Sequence, residues 1–123
     1  MPSPRRPAPI PPLAERVAIV LVTAPDRDVA ERLVRSLLDE RLVACGNIVP
    51  GVLSLYCWQG RLEREEEVLI VLKTTAALTA ELVRRVPALH PYEIPEVLVV
   101  PVSDGYEPYI DWVAAGCGDR SED

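Results

Sequence analysis

His90 is the single histidine of the chain, and neutral imidazole is the commonest transition-metal ligand. It stands in the run His90-Pro91-Tyr92-Glu93-Ile94-Pro95-Glu96. Two prolines stiffen this loop just where a helical pattern ends, and rigidly held loops are a usual place for function. The plainer reading is an imidazole that caps the helix C-terminus or hydrogen-bonds locally. Copper(II) or zinc takes three or four ligands. One chain offers one histidine, so a complete site must add carboxylates, a thiol, water or groups from a second subunit. Cys45 and Glu67 are the candidates. Cys45 suits a soft ion such as copper(I), or is a small buried hydrophobe in a strand. The run Glu63 to Glu67 offers oxygen to hard cations, or keeps a hairpin tip solvated and apart from other edges.

A second set of residues suits a different ligand. Lys73 can hold an anion, or pair with Glu67 or Glu96 across the sheet surface. Tyr56, Trp58, Tyr92 and Trp112 can wall a pocket between subunits, since aromatics cover much area and keep a polar tip. Plain core and interface packing is the favoured reading of Trp58 and Trp112; Tyr92, directly after His90-Pro91, is the better pocket wall. Lys73, Tyr92 and Glu96 would then hold an anionic metabolite or nucleotide in a cleft between subunits. An enzyme is not expected. Ser54 and Ser103 have no histidine–acid setting, no glycine-rich phosphate loop is present, and neither CxxC nor HExxH spacing exists.

Composition narrows the partners. A chain of 123 residues with 49% hydrophobic content makes one domain with one core. The net charge is −6 and no Lys/Arg cluster is dense enough to track a phosphate backbone, so nucleic acid is excluded as a partner. The longest apolar runs are strand-sized, well short of the roughly 20 residues of a membrane helix. Arg5 and Arg6 are followed by prolines rather than an apolar stretch, so no signal peptide is read. Three cysteines, an odd number, then point to reduced thiols and a cytoplasmic protein. Residues 1–14 read as a flexible proline-rich tail, 15–116 as the folded domain and 117–123 as a polar C-terminal tail.

The elements that must position these side chains centre on a hairpin from Ala44 to Thr74, reversing at Gln59-Gly60-Arg61. Val52, Ser54, Tyr56 and Trp58 alternate with Leu53, Leu55 and Cys57. On the return, Val68, Ile70 and Leu72 alternate with Glu67, Leu69, Val71 and Lys73. Pro50-Gly51 predicts a bulge on an edge strand. Before the hairpin, Val17 to Thr23 reads as a central strand buried on both faces. Ala24-Pro25-Asp26 stops it and starts a helix, with Asp26 or Asp28 as cap and Ala30, Leu33, Val34, Leu37 and Leu38 as its apolar stripe. After the hairpin, Thr75 to Leu89 predicts a second helix, capped by Thr75 or Thr79, with Leu78, Leu82, Val86 and Leu89 inward. Glu96 to Val102 predicts a strand apolar enough for a covered position. Pro108 fits the first turn of a short last helix.

The order predicts an α+β fold: a ferredoxin-like βαββαβ sandwich with a long β-hairpin and a short C-terminal helix. Right-handed crossovers put both long helices on one face of the sheet. The other face, expected to carry Leu53, Leu55 and Val71, then has no cover within the chain. Burial against other copies would remove that exposure. The long hairpin, with its unpaired edge, points the same way.

Several stretches resemble the CutA divalent-cation tolerance family. They are Ala24-Pro25-Asp26, Ala44-Cys45 with Asn47-Ile48, Ser54-Leu55-Tyr56-Cys57-Trp58-Gln59-Gly60, Glu67 with Leu72-Lys73-Thr74-Thr75, His90 to Glu96, and Tyr109 with Trp112. They run in order from about Val17 to Ala115. The resemblance implies a homotrimer whose hairpins extend neighbouring sheets, high stability, and tolerance of copper and other divalent metal ions without an obligatory cofactor. It also implies an architecture like that of the trimeric nitrogen-signalling proteins, which bind small effectors between subunits. Some members carry a cysteine near the end of the first strand as a candidate copper ligand; Val22 stands in that place here.

Overall fold

A computed structural model describes residues 16–118. The proline-rich segment 1–14 and most of the C-terminal tail lie outside the described residues. Strand β1 (Val17–Ala24) leads to helix α1 (Arg27–Asp39). A hairpin of β2 (Cys45–Trp58) and β3 (Arg61–Thr75) follows, then α2 (Thr79–Leu89), β4 (Val97–Pro101) and α3 (Glu107–Gly116). The sheet is antiparallel with strand order β2-β3-β1-β4. This is the α+β, ferredoxin-like arrangement that the order of elements predicts.

The core forms on one face of the sheet. Val20, Val22 and Ala24 of β1 join Val68, Ile70 and Leu72 of β3, beneath Ala30, Leu33, Val34 and Leu37 of α1 and Leu82 and Val86 of α2. Asp26 is the cap of α1: its carboxylate accepts the Val29 N–H at 2.8 Å, satisfying one of the free amides of the first turn. Leu38, expected on the buried stripe, lies at its exposed rim instead. The residues between β1's inward positions, Ile19, Leu21 and Thr23, face the side without helices and stay half-buried.

The hairpin turns through two residues, Gln59 (φ 51°) and Gly60 (φ 79°). Positive φ at both positions is the turn whose twist matches paired strands, and glycine reaches it without steric cost. The bulge falls where Pro50-Gly51 predicts it. Pairing jumps from Val49 opposite Leu69 to Val52 opposite Glu67, with Gly51 at φ 78°. Proline is tolerated there because β2 is the sheet edge.

That extra residue corrects one expectation. Beyond the bulge, Leu53 pairs with Glu66 and Leu55 with Arg64, the row that continues into Val68 and Ile70. Val71 lies on the other row, opposite Asn47 and Leu21. Leu53 and Leu55 therefore do not share a face with Val71, because a one-residue insertion flips every later side chain.

The second helix starts later than its pattern suggests. Thr75 stays in β3, opposite Val17, and a short 3-10 turn, Ala76–Leu78, precedes α2. Neither threonine caps the helix; Thr79 Oγ1 donates to the Ala76 carbonyl instead. Pro87 lies in the last turn of α2, which ends two residues later. Strand β4 pairs only with β1, so it is the second edge, and Leu98, Val99 and Val100 are exposed rather than covered. Helix α3 buries Val113. Just beyond it, Cys117 is buried and the Arg41 guanidinium donates to the Gly118 carbonyl at 2.7 Å, tying the chain to the end of α1. Burial pushes the Cys117 thiol up, and its Sγ lies 3.3 Å from the Val113 carbonyl.

Candidate functional site

The loop after α2 is fastened by His90. The ring is only 8% exposed. Its Nε2 lies 2.7 Å from the Thr23 carbonyl oxygen at the end of β1, and the Tyr92 N–H points at Nδ1 from 3.1 Å. A carbonyl can only accept and an amide N–H can only donate. Nε2 therefore carries the proton and Nδ1 offers the lone pair. Both nitrogens are used. An ion at His90 would have to displace the Tyr92 amide, so the ring acts here as a local clip between β1 and the loop.

From this clip a line of contacts leads to the hairpin. The rings of His90 and Tyr92 lie 4.7 Å apart. The Tyr92 hydroxyl donates to Glu67 Oε2 at 2.9 Å. Burial pushes the Tyr92 phenol well above its ordinary range, and the hydrogen bond to Glu67 and the charges of Glu67, Glu65 and Tyr56 push it further. It therefore stays a neutral donor throughout physiological pH. Glu67, 8% exposed, is a carboxylate inside the protein. His90, Tyr92 and Glu67 can each be named from sequence for separate roles; the fold sets them in one chain of contacts.

Between the outer half of the hairpin and loop 90–96 lies a cavity of about 700 Å³. Tyr56, Trp58 and Tyr92 give it aromatic walls, and Glu63, Glu67, Glu93 and Glu96 give it carboxylates. Thr23, Ser54 and the apolar Leu53, Leu55 and Ile94 complete it. Four of the five pocket residues named from sequence therefore meet here. Lys73 does not: it pairs with Cys45 and Ile19, six residues along β3 from Glu67 and so roughly 20 Å away. Among the described residues no basic side chain lines the cavity. Among the described residues, the ion pairs are Arg35–Glu31 and Arg85–Glu40, so Lys73 bridges neither Glu67 nor Glu96.

Sequence reasoning missed Thr23, Leu53, Ser54, Leu55, Glu93 and Ile94 as lining residues. Ser54 alternates with Tyr56 and Trp58, and that period of two was enough to find it. Glu93 and Ile94 lie in a loop without periodicity. Cys45 is half-buried, with Sγ 4.0 Å from Asn47 Oδ1, far from this cavity. Among the described residues no group of three or more His, Cys, Asp or Glu is placed to hold a metal ion. Val22 is fully buried in the core. The described residues of one chain therefore bring no such group together.

An antiparallel sheet with helices on one face, outgrown by a hairpin with an acidic, aromatic-walled cavity along its outer half, defines a ferredoxin-like α+β protein built around that hairpin. Comparison with known proteins narrows the class. Residues 18–116 match the family model of the CutA1 divalent ion tolerance protein. The divalent-cation tolerance protein CutA of Thermus thermophilus is 43% identical over 100 residues, covering 81% of this chain and 97% of that protein. Mouse protein CutA is 40% identical over 79% of this chain, which spans about half of that longer protein, 55%. The crystal structure of CutA from Xylella fastidiosa superposes with a TM-score of 0.81 at 38% identity, covering 84% of this chain and 99% of that one. The chain belongs to the CutA1 family of divalent-cation tolerance proteins.

Proposed function

We propose that the protein acts in the response to divalent metal ions, copper among them, by binding them as a homotrimer in which each ion is held between subunits. The observation that carries this reading is the cavity along the outer half of the hairpin. Among the described residues four carboxylates and no basic residue line it, so it attracts cations, yet the described residues of one chain do not bring three ligands together. A second subunit supplies the remainder. Glu67 is the ligand that one chain brings to this cavity. Cys45, on the open edge strand, is a separate thiol for soft ions. His90 contributes by holding the loop, and joins an ion only by giving up a hydrogen bond. The free thiols of Cys45, Cys57 and Cys117 suit a reducing, cytoplasmic setting. No helix of the described residues is long and apolar enough to cross a membrane. An anionic effector finds no support in this cavity, because its walls carry negative charge and Lys73 lies elsewhere.

Calorimetric titration of the chelator-treated full chain with copper(II) and with zinc tests the proposal, with mass measured by light scattering on the same samples. The expected result is saturation at a fixed number of ions per trimer, with affinity at least tenfold weaker in Glu67→Gln. Heats that never saturate, or an affinity untouched by Glu67→Gln, would overturn it.

A further inference from the structure

We infer that Asp104-Gly105 is a site of spontaneous covalent modification, at which aspartate converts to isoaspartate without an enzyme or cofactor. The inference is independent of the metal reading, because it rests on the link between β4 and α3 alone. Residues 102–106 belong to neither a helix nor a strand, and Asp104 and Gly105 are both exposed. The Gly105 amide nitrogen lies 2.8 Å from Asp104 Oδ1. Among the described residues that carboxylate is the amide's partner, and no backbone carbonyl competes for it. The nitrogen is therefore held against the carboxyl group that it can attack. Such proximity turns a slow encounter into an intramolecular step.

The reaction needs no outside reagent but water. The Gly105 nitrogen forms a bond to Asp104 Cγ and loses its proton. The carboxyl group, in its protonated form, breaks a C–O bond and releases water. The product is a succinimide ring, which water then reopens. Cleavage between the nitrogen and Cγ restores aspartate. Cleavage between the nitrogen and the backbone carbonyl carbon of Asp104 leaves the chain running through Cγ, as isoaspartate. Ring closure favours a following residue with no side chain to crowd the nitrogen and a freely turning backbone, and glycine meets both needs. The other aspartates of the described residues lack that neighbour: Asp26, Asp28, Asp39 and Asp111 precede Arg27, Val29, Glu40 and Trp112. Asp28, Asp39 and Asp111 also lie within α1 and α3, and Asp26 Oδ1 already accepts the Val29 N–H. Isoaspartate adds a carbon to the main chain beside α3. Gly105 packs there so closely that a Cβ on it would lie 3.2 Å from Ile110 Cδ1, so the conversion disturbs the start of that helix.

The test ages the full chain in heavy-oxygen water at physiological temperature and mildly acid pH. Peptide mapping with electron-transfer fragmentation then distinguishes isoaspartate from aspartate at each position. The expected result is isoaspartate carrying heavy oxygen at Asp104, in preference to Asp26, Asp28, Asp39 and Asp111, and forming about tenfold more slowly in Gly105→Ala. The ranking among aspartates in the wild-type chain decides even if Gly105→Ala, which crowds Ile110, is unstable. No isoaspartate at Asp104, formation there no faster than at the other aspartates, or a rate unchanged in a folded Gly105→Ala would overturn the inference.

Discussion

Strand β3 passes through two environments that its own alternation does not distinguish. In its inner half Val68, Ile70 and Leu72 are buried, at 5%, 0% and 0% exposure. In its outer half, Leu62 is 75% exposed, and Leu53 and Leu55 on the facing strand are 48% and 61% exposed. Both halves have strand geometry and pair with β2, on either side of the bulge. The difference lies in what covers them. Helices α1 and α2 reach only the inner half, because a 13-residue and an 11-residue helix span roughly 20 and 17 Å, whereas the paired strands run much further. Period-two alternation sets the pleat; burial is decided by the next layer. Apolar residues on the uncovered half therefore point to other copies of the chain, as the proposed trimer requires.

The largest effect should come from breaking the inner half. Ile70→Ala should lower stability by about 2–5 kcal/mol in denaturant unfolding, since a fully buried branched chain leaves a cavity. Leu62→Ala, in the same strand, should change it by less than about 0.5 kcal/mol if the hairpin tip stays in solvent. A large loss at Leu62 would show that the tip is covered too.

Next in size is the clip that joins the two regions. His90→Ala should cost about 1–3 kcal/mol, because the Tyr92 amide and the Thr23 carbonyl lose their partners. Its effect on metal affinity should be smaller than that of Glu67→Gln. A reversal of that order would make His90 a ligand rather than a clip.

The smallest effect is a matter of pH. The Tyr92 phenol is raised in the folded protein, first by burial and then by Glu67. The folded state therefore keeps this proton where the unfolded chain, titrating at about 10, gives it up. The contribution is fully present below pH 10 and is lost as pH rises beyond it towards the folded value. Tyr92→Phe should flatten the decline in stability above pH 10 relative to wild type, as measured by unfolding across pH 8–12. An unchanged slope would place the phenol in contact with solvent.

Much of the inner region could be read from sequence because its determinants are local or periodic. The β1 run, the Asp26 cap, the α1 stripe and the Pro50-Gly51 bulge all have their physical cause within a few residues. The errors arose where a distant element decides. Thr75 was drawn into β3 by pairing with Val17. Strand β4 fell at an edge because β1 has β3 on its other side. The bulge is legible in Pro50-Gly51 itself, but the face on which Leu53 and Leu55 fall depends on how many residues it inserts opposite β3. At the site, Tyr92, Glu67, Tyr56, Trp58 and Glu96 could be named individually, yet nothing in the sequence joins Tyr92 to Glu67 across 25 positions. Residue type alone groups Lys73 with Tyr92 and Glu96, and the length of β3 keeps it away from them.

The uncovered half of the hairpin is tested most directly by the mass of the full chain in solution. Light scattering should be measured at micromolar concentration for wild type and for the double variant Leu53→Ser with Leu55→Ser. Three times the chain mass for wild type, falling towards one chain in the variant with far-UV circular dichroism retained, is the expected result. A wild-type monomer would contradict it, and would leave the exposed leucines and the acidic cavity to be explained without a second subunit.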